Sequence, residues 1–281
     1  MRLRIPSWRY CSMLPAIGGP CGTVVSALQI AVLGRKGGSA KTTTAYNLAG
    51  ALVESGRRCL LVDLDSQASL TRALSDEAVK PEHGIGNRIA DTPRGMRDII
   101  RQVGLMLYLA PGDRSIEATS LALAQNPTGP LRLRLLLDEV RDEFDAIIID
   151  TAPMLGFTQT AALLAAELAV VPTRTGAQQD IDALADIFAT QEELRRYRFV
   201  TADIKAILPS NFHAEEAPQR DGLRGLRSAY GGLIADPIPH SPLVERAINA
   251  RTPVVVSSPR SAAAAAFRSL SARMLLAEVA L

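Results

Sequence analysis

The stretch that decides the fold is residues 29–43, QIAVLGRKGGSAKTT, in which a short apolar run leads into a glycine-rich loop. The run over residues 29–34 predicts a buried strand, because it is short, apolar and bounded by glycine. Helical spacing of apolar residues follows over residues 41–55, and Gly56 is placed to end that helix. The stretch therefore predicts a strand, a loop and a helix in direct succession.

The rest of the chain alternates similar apolar runs with longer helical patterns. Residues 115–125 and 130–143 have the apolar spacing of helices. Continuous apolar strands that alternate with helices are typical of a parallel sheet covered on both faces. We therefore expect an α/β fold, with a doubly wound, mostly parallel sheet and helices on both faces. The predicted strands after the first are residues 58–64, 105–110, 144–150, 168–173, 203–209 and 233–238.

Composition places the chain among ordinary globular proteins. It has 281 residues, of which 47% are hydrophobic and 21% charged, and this excludes a disordered, collagen-like or coiled-coil chain. No apolar stretch approaches the roughly 20 residues of a membrane-spanning helix. Three cysteines without a CxxC pair and three scattered histidines indicate reduced thiols in a cytoplasmic protein and argue against a zinc site.

The first 28 residues differ from the remainder, since they combine arginines with several prolines and glycines. A basic start before apolar residues also occurs in signal peptides, but Pro15 and residues 18–20 interrupt any apolar core here. We expect residues 1–28 to form an irregular N-terminal extension and residues 29–281 to form one domain.

The loop between the first strand and helix has the composition of a phosphate-binding loop. Its glycines let consecutive backbone N–H groups turn toward one anion, and the helix N-terminus adds its positive end. Lys41 would then reach the β- and γ-phosphates, and the Thr42 hydroxyl would ligate Mg²⁺. The strict pattern GxxxxGK[ST] is not met, because its glycine positions fall on Arg35 and Ala40. A glycine-rich turn without a ligand is the alternative.

Three carboxylates at predicted strand ends favour the phosphate-binding interpretation. Asp63 and Asp65 close one apolar strand and Asp150 closes another. Ligands of open parallel sheets bind beyond the carboxyl ends of the strands. Carboxylates beside a phosphate loop hold Mg²⁺, directly or through water, and orient an attacking water molecule. The sequence therefore predicts a P-loop NTPase fold with a magnesium–nucleotide site.

Three motifs together resemble the ParA/MinD family of deviant Walker A ATPases, with the closest likeness to ParA-type, Soj-like partition ATPases. The motifs are KGGSAKTT (36–43), VDLDSQASLT (62–71) and FDAIIIDTAPMLG (144–156), and the resemblance extends over about residues 29–275. It implies an ATPase that dimerises with ATP and Mg²⁺ and hydrolyses ATP slowly. It further implies plasmid or chromosome partition through ATP-dependent, non-specific DNA binding, a ParB-like activator protein, and a cytoplasmic location that becomes nucleoid-associated with ATP bound.

The resemblance also assigns roles to individual residues. Lys36 matches the signature lysine, which crosses an ATP-sandwich dimer to the phosphates of the partner. Asp65 matches the acid that supports the hydrolytic water, and Thr42, Asp63 and Asp150 lie on the magnesium side. Asn211 and Pro239 fall where the family holds the adenine. The remaining phosphate cradle is Gly37, Gly38, Ser39, Ala40, Lys41 and Thr43.

Two departures from the family pattern concern the backbone around the nucleotide. Ala40 stands where glycine is more usual, and we expect it to be tolerated only if its φ is negative. Ser66 and the Ala152–Pro153–Met154 run (152–154) also depart from the usual residues, which puts the switch geometry and the rate of hydrolysis in question more than nucleotide binding.

The formal net charge is +2, but the charged residues are distributed unevenly along the chain. Residues 167–193 hold six acids against one arginine, whereas residues 194–281 hold twelve basic residues against seven acids. Arg220, Arg224 and Arg227 recur at helical spacing and share one predicted helix face. This face predicts binding to the phosphate backbone of DNA, the alternative being a solvated, salt-bridged surface. Only four of the 31 basic residues are lysines, and Lys36 and Lys41 are two of them.

Other functions on the same ATPase core are weaker matches. A MinD-like membrane-cycling ATPase needs a basic amphipathic C-terminal helix, but here Arg273 is offset by Glu278. An iron–sulfur reductase needs cysteines downstream of the loop, and Cys59 alone does not suffice. A role in conjugation or secretion, and a metabolic ATP-dependent ligase with this fold, remain as alternatives.

Overall fold

The computed structural model of the chain describes residues 26–75, 79–91, 95–153, 156–176 and 178–279. Within them, seven strands form one sheet in the order β3-β4-β2-β5-β1-β6-β7. All neighbouring strands pair in parallel except β3 and β4, which are antiparallel. The strands are β1 (Leu28–Val32), β2 (Cys59–Leu64), β3 (Arg101–Gln102), β4 (Leu107–Ala110), β5 (Ala146–Thr151), β6 (Leu168–Thr173) and β7 (Asp203–Pro209).

The α-helices alternate with these strands along the chain and cover both faces of the sheet, so the predicted fold class is confirmed. They are α1 (Lys41–Glu54), α2 (Ser69–Leu74), α3 (Ile85–Ala90), α4 (Ser115–Ala124), α5 (Arg132–Asp138), α6 (Phe157–Ala165), α7 (Gln178–Arg196), α8 (Ala217–Tyr230), α9 (Pro242–Asn249), α10 (Val254–Ser257) and α11 (Ala262–Glu278).

The core consists of two layers of apolar side chains, one on each face of the sheet. Leu61 of β2 belongs to the layer that contains side chains of α1, α10 and α11. Its neighbours Leu60 and Val62 belong to the opposite layer, with side chains of α3, α5 and α6. Since successive strand residues point to opposite faces, a sheet buried on both sides requires apolar residues at every position. This requirement explains the continuous apolar runs of the sequence.

Several predicted elements differ from the structure in their bounds. The predicted helix over residues 130–143 is shortened to α5, with single 3₁₀ turns at Gly129–Leu131 and Arg141–Glu143. The predicted strand over residues 105–110 begins at Leu107. β3 was not predicted, because a two-residue strand carries no periodic pattern.

The predicted strand over residues 233–238 was wrong. A 3₁₀ turn covers Gly231–Leu233, and a single bridge then joins Ile234 to Ile207 of β7. Pro237 lacks a backbone N–H and cannot donate to a ladder at this edge. The segment therefore follows β7 without becoming an eighth strand.

The predicted boundary between an extension and a domain remains a prediction. Residues 1–25, which include Cys11 and Cys21, lie outside the described residues, and β1 begins at Leu28. Among the helices that the structure describes, none is long and apolar enough to span a bilayer.

Candidate functional site

The candidate site lies at the carboxyl ends of three adjacent strands. β5 lies between β2 and β1 in the sheet, so the loop that follows β1 is next to the acids that end the other two strands. Asp150 is the register partner of both Val32 and Asp63. The sheet thus assembles the predicted loop and the predicted carboxylates at one edge, as expected for a parallel sheet.

The glycine-rich loop turns into α1 through two residues with left-handed backbone conformations. Gly38 has φ +76°, and Ala40 has φ 67° and ψ 28°. The expectation of a negative φ at Ala40 was therefore wrong. Its carbonyl accepts the Thr44 N–H at 2.8 Å, so this turn directs the chain into the first turn of α1. A left-handed alanine costs roughly 1–2 kcal/mol, and the surrounding structure offsets that strain.

Lys41 is buried at the floor of the loop, with 7% of its surface exposed. Its Nζ donates to the Lys36 carbonyl oxygen at 3.0 Å and lies 3.5 Å from Ser39 Oγ. Ser39 Oγ donates to the same carbonyl at 3.1 Å. Burial lowers the pKa of Lys41, while the carboxylates of Asp150 and Asp65 act to raise it. Hydrogen bonds from an ammonium to an anion are stronger than those to neutral oxygens, so an anionic ligand can replace the oxygens that now hold Lys41.

Asp63 and Asp150 are both fully buried, but their hydrogen bonding differs. Asp63 Oδ2 accepts from Thr71 N at 2.8 Å and from Thr71 Oγ1 at 2.7 Å, and Oδ1 accepts from Asp65 N at 3.2 Å. Among the described residues, neither Asp150 oxygen has a hydrogen-bond partner of good geometry. The Thr42 side chain is nevertheless close enough to act on the pKa of Asp150.

Burial raises the pKa of both carboxyls. For Asp63, the bonds from Thr71 and Asp65 counteract part of that rise. For Asp150, neighbouring Asp63 raises the pKa further, whereas Thr42 and Lys41 oppose the increase. The resulting pKa of Asp150 lies well above the usual carboxyl range. An ionised Asp150 therefore needs a cation beside it.

The surroundings of Asp150 fit a magnesium ion that a nucleotide brings with it. Within the described residues, no group of three or more His, Cys, Asp or Glu side chains is placed to hold a metal alone. Mg²⁺ in phosphate-transfer sites takes one or two protein oxygens and completes its shell with water and phosphate. The two bare oxygens of Asp150, next to Thr42, meet that need. Asp63 is largely engaged by protein donors.

Lys36 is paired within its own chain. Its Nζ lies 3.2 Å from Asp180 Oδ1 and 3.1 Å from Gln179 Oε1, both on α7. The preceding residue, Arg35, forms a salt bridge with Asp186 of the same helix. The phosphate loop is thus fastened to α7 by two consecutive cations, and the predicted contact of Lys36 with a partner protomer stays a prediction.

Asn211 and Pro239 lie at the opposite end of the site from Lys41. Both line a cavity of about 240 Å³ together with Gly38, Ala40 and other loop residues, so one space joins the phosphate loop to the predicted adenine position. Asn211 follows β7 with φ 55°. Its Oδ1 lies 2.7 Å from His240 Nδ1, and the His240 ring stacks on His213 with centroids 4.2 Å apart.

Two further residues of the site were not identified from the sequence. Gln159 of α6 is buried, and its Nε2 donates to the Gly34 and Ala152 carbonyls, both at 2.9 Å. It therefore ties the start of the phosphate loop to the segment after Asp150. Arg174 lines the cavity from the end of β6. In the sequence, Arg174 comes immediately after a predicted strand, and this position at a strand end is the signal that could have identified it.

Comparison with known proteins identifies the family. An AAA domain family matches residues 27–204, more than half of the chain. The chromosome-partitioning ATPase Soj of Thermus thermophilus is 34% identical over 168 residues, which cover 59% of this chain and 62% of Soj. The chain belongs to the ParA/MinD family of ATPases. The probable plasmid-partitioning protein ParA of the same organism is 28% identical over 228 residues, 75% of this chain and 68% of that protein.

Solved structures support the same fold for this ParA/MinD-family chain. Apo McdA of Cyanothece superposes with a TM-score of 0.78 at 21% identity, covering 89% of this chain and 99% of McdA. The cell division ATPase MinD of Pyrococcus furiosus gives a TM-score of 0.71 at 22% identity, with the same coverage. Cobyrinic acid a,c-diamide synthase of Mycobacterium smegmatis, solved with an ATP analogue and magnesium, gives 0.74 at 24% identity over 89% of this chain and 94% of the enzyme.

The three predicted arginines of the basic face do share one helix, α8, and all three are exposed. Arg220 Nη1 donates to the Ala214 and Glu215 carbonyls at 2.9 and 2.8 Å, and Arg224 contacts Asp221. Within the described chain, no ion pair engages Arg227. Local contacts therefore occupy two of the three arginines in the isolated protomer.

Proposed function

We propose that this member of the ParA/MinD family is an ATPase that dimerises with ATP, hydrolyses it slowly and drives the partition of DNA. The observation that supports nucleotide binding most directly is the pairing of two incomplete buried groups. The Lys41 ammonium is held by neutral oxygens, and the Asp150 carboxylate has no hydrogen-bond partner of good geometry in the described chain. A magnesium–triphosphate supplies an anion to the first and a cation to the second.

The residues of the site divide the work of hydrolysis among them. The N–H groups of residues 37–43 and the Lys41 amine hold the phosphates, while Thr42 and Asp150 hold Mg²⁺ and Asp63 supports them. When bound there, Mg²⁺ would neutralise charge that develops on the phosphate oxygens. Asp65 is half-buried at the same edge and near enough to act on the pKa of Lys41, and it orients the attacking water.

The proposed dimerisation rests on the match of Lys36 to the signature lysine of the family. The Lys36 amine is bound to Asp180 in the isolated protomer, and it exchanges that carboxylate for the phosphates of a partner protomer. The phosphate charge is then fully compensated only between two copies. ATP therefore favours the dimer by mass action, and hydrolysis releases it.

DNA binding rests on the exposed arginines of α8 and on the family. Each protomer contributes Arg220, Arg224 and Arg227, and a dimer doubles the number of phosphate contacts. We propose non-specific DNA and a ParB-like activator as partners, in the cytoplasm, with nucleoid association in the ATP state.

The first test measures MgATP binding by isothermal titration calorimetry. Lys41→Ala is expected to abolish binding, whereas Lys80→Ala, at an exposed lysine elsewhere in the chain, leaves it unchanged. Equal MgATP binding by Lys41→Ala and the unaltered protein would contradict the assignment of the loop.

The second test separates binding from hydrolysis. Asp65→Ala retains ATP but not the oriented water, so size-exclusion chromatography with MgATP should show a long-lived dimer. An Asp65→Ala protein that stays monomeric with saturating nucleotide would contradict the proposed cycle of ATP-dependent dimerisation.

The third test concerns the cargo. ATPase activity should rise with non-specific DNA and a ParB-like partner, and DNA binding should weaken steeply as salt increases. Stimulation by a small metabolite without any effect of DNA would instead indicate a metabolic ligase. Sedimentation with anionic liposomes in the presence of ATP would instead indicate membrane cycling.

A further inference from the structure

Arg174 occupies a position in the site that the family motifs do not cover. It is the first residue after β6, and β6 lies next to β1, whose end carries the phosphate loop. Arg174 lines the cavity of about 240 Å³ together with Gly38 and Ala40 on one side and Asn211 on the other. The guanidinium therefore lies beside the space that joins the loop to the predicted adenine position.

Gly38 packs closely against this arginine. A Cβ atom built on Gly38 would lie 3.1 Å from Arg174 Nη2, so a side chain there would press on the guanidinium. Gly38 also has φ +76°, which disfavours any side chain at that position. The bare backbone of the loop thus leaves room for the Arg174 guanidinium beside its N–H groups.

The other basic groups around the loop are already engaged within the chain. Arg35 pairs with Asp186, Lys36 with Asp180, and Lys41 Nζ with the Lys36 carbonyl. Arg174 is exposed, and no carboxylate or carbonyl of the described residues pairs with its guanidinium. Asp180 lines a second cavity with Arg174, but its carboxylate is held by Lys36.

We infer that Arg174 is a further nucleotide-contacting residue, whose guanidinium bonds to phosphate oxygens of the ATP held by its own protomer. This inference rests on the proposed nucleotide binding. A planar guanidinium offers five donors in a fork that matches two phosphate oxygens. While α7 holds Lys36, Arg174 supplies the second cation for the triphosphate, next to Lys41, and it does so without a partner protomer.

The test compares the affinities of four proteins for MgATP and MgGTP by calorimetry: the unaltered chain, Arg174→Gln, Arg174→Lys and the matched control Arg134→Gln, at an exposed arginine of α5 that lies outside the site. A charge-assisted phosphate contact contributes about tenfold or more to affinity. Arg174→Gln should therefore weaken both nucleotides by at least about tenfold and by the same factor. Arg174→Lys should retain part of the affinity, and Arg134→Gln should match the unaltered protein within about twofold.

Each other outcome is informative in a different way. Unchanged affinity of Arg174→Gln, with MgATP binding intact in the unaltered protein, overturns the role of Arg174 alone. A loss of affinity that differs between ATP and GTP overturns the phosphate contact, because a contact with phosphate does not depend on the base. Failure of the unaltered chain to bind MgATP contradicts the proposed function itself. Thermal unfolding without nucleotide should be the same for Arg174→Gln and the unaltered chain, which separates lost binding from misfolding.

Discussion

Asp63 and Asp150 end neighbouring strands as register partners, and both are fully buried, yet their surroundings are opposite. Asp63 accepts three hydrogen bonds and anchors α2 through Thr71. The oxygens of Asp150 have no partner of good geometry among the described residues. One carboxylate contributes to the fold, and the other costs stability until a ligand reaches it. The same edge of the sheet thus holds one carboxylate that is engaged by the fold and, beside it, one that is left without a protein partner.

The most direct test of the difference between the two acids removes the negative charge of Asp150. Asp150→Asn keeps the shape of the side chain but removes the negative charge that would hold Mg²⁺ in the proposed site. We expect MgATP hydrolysis to fall by about 100-fold or more, because charge stabilisation at the phosphates is lost. A phosphate-release assay measures this, and Asp138→Asn on α5, at an exposed acid, is the control with unchanged activity. Full activity in Asp150→Asn would refute the assignment.

The role of Asp63 is tested through Thr71. Thr71→Val removes the hydroxyl that donates to Asp63 and that accepts the Gly112 N–H at 2.8 Å. Two buried polar groups then lose a partner, and the free energy of unfolding should fall by about 2–4 kcal/mol. Urea unfolding measures the change, with Thr190→Val on α7 expected to cost less than about 1 kcal/mol. A stability loss of the same size in both variants would show that Asp63 does not depend on Thr71.

A variant at Gly112 tests the packing around Asp63, and its expected effect on stability is smaller. A Cβ atom at Gly112 would lie 2.8 Å from both Asp63 Cγ and the Asp63 carbonyl oxygen. Gly112→Ala should therefore destabilise the protein by about 1–3 kcal/mol through displacement of that carboxylate. Gly225→Ala, in α8 with open space around the new methyl group, should be neutral or stabilising by up to about 1 kcal/mol. Chemical denaturation of the two variants side by side decides between these expectations.

The smallest expected effect is the pH dependence of the Asp150→Asn stability difference. The folded state raises the pKa of Asp150 above its unfolded value of about 3.9, so the folded state retains the proton longer. Stability from this group is present below the unfolded pKa and is lost as pH rises toward the folded pKa. Without metal and nucleotide, Asp150→Asn should be about as stable as the unaltered chain at pH 4 and more stable, by about 1 kcal/mol, at pH 8. A constant difference across that range of thermal or urea midpoints would argue against a raised pKa.

The sequence identified the parts of the site that depend on local order along the chain. The loop over residues 35–43 and Asp65 come after recognisable apolar strands, and Asp63 and Asp150 lie near the carboxyl ends of such strands. The parallel sheet necessarily brings these strand ends together. The position of Asn211 and Pro239 came from the resemblance to the ParA/MinD family, and both line the same cavity as the loop.

The remaining features depend on contacts between distant segments. Nothing local in the sequence reveals that Gln159 joins Gly34 to Ala152, or that His240 faces Asn211. The φ of Ala40 went against the residue's own preference, because the turn into α1 determines the backbone there. Residues 233–238 had the composition of a strand, but whether an edge segment pairs fully is decided by the neighbouring strand.

The two borders of the sheet bear on how copies of this protein meet. One border ends in β3, only two residues long, and short edge strands resist pairing with other chains. Along β7, the Ala235 N–H donates to the Ile207 carbonyl and the Ile238 N–H to the Pro209 carbonyl, while an Asp203–Lys205 ion pair lies at the other end of the strand. Neither border offers a long, uncharged row of free backbone groups in the described chain. Extension of the sheet by a second chain, and fibre growth by that route, are therefore disfavoured.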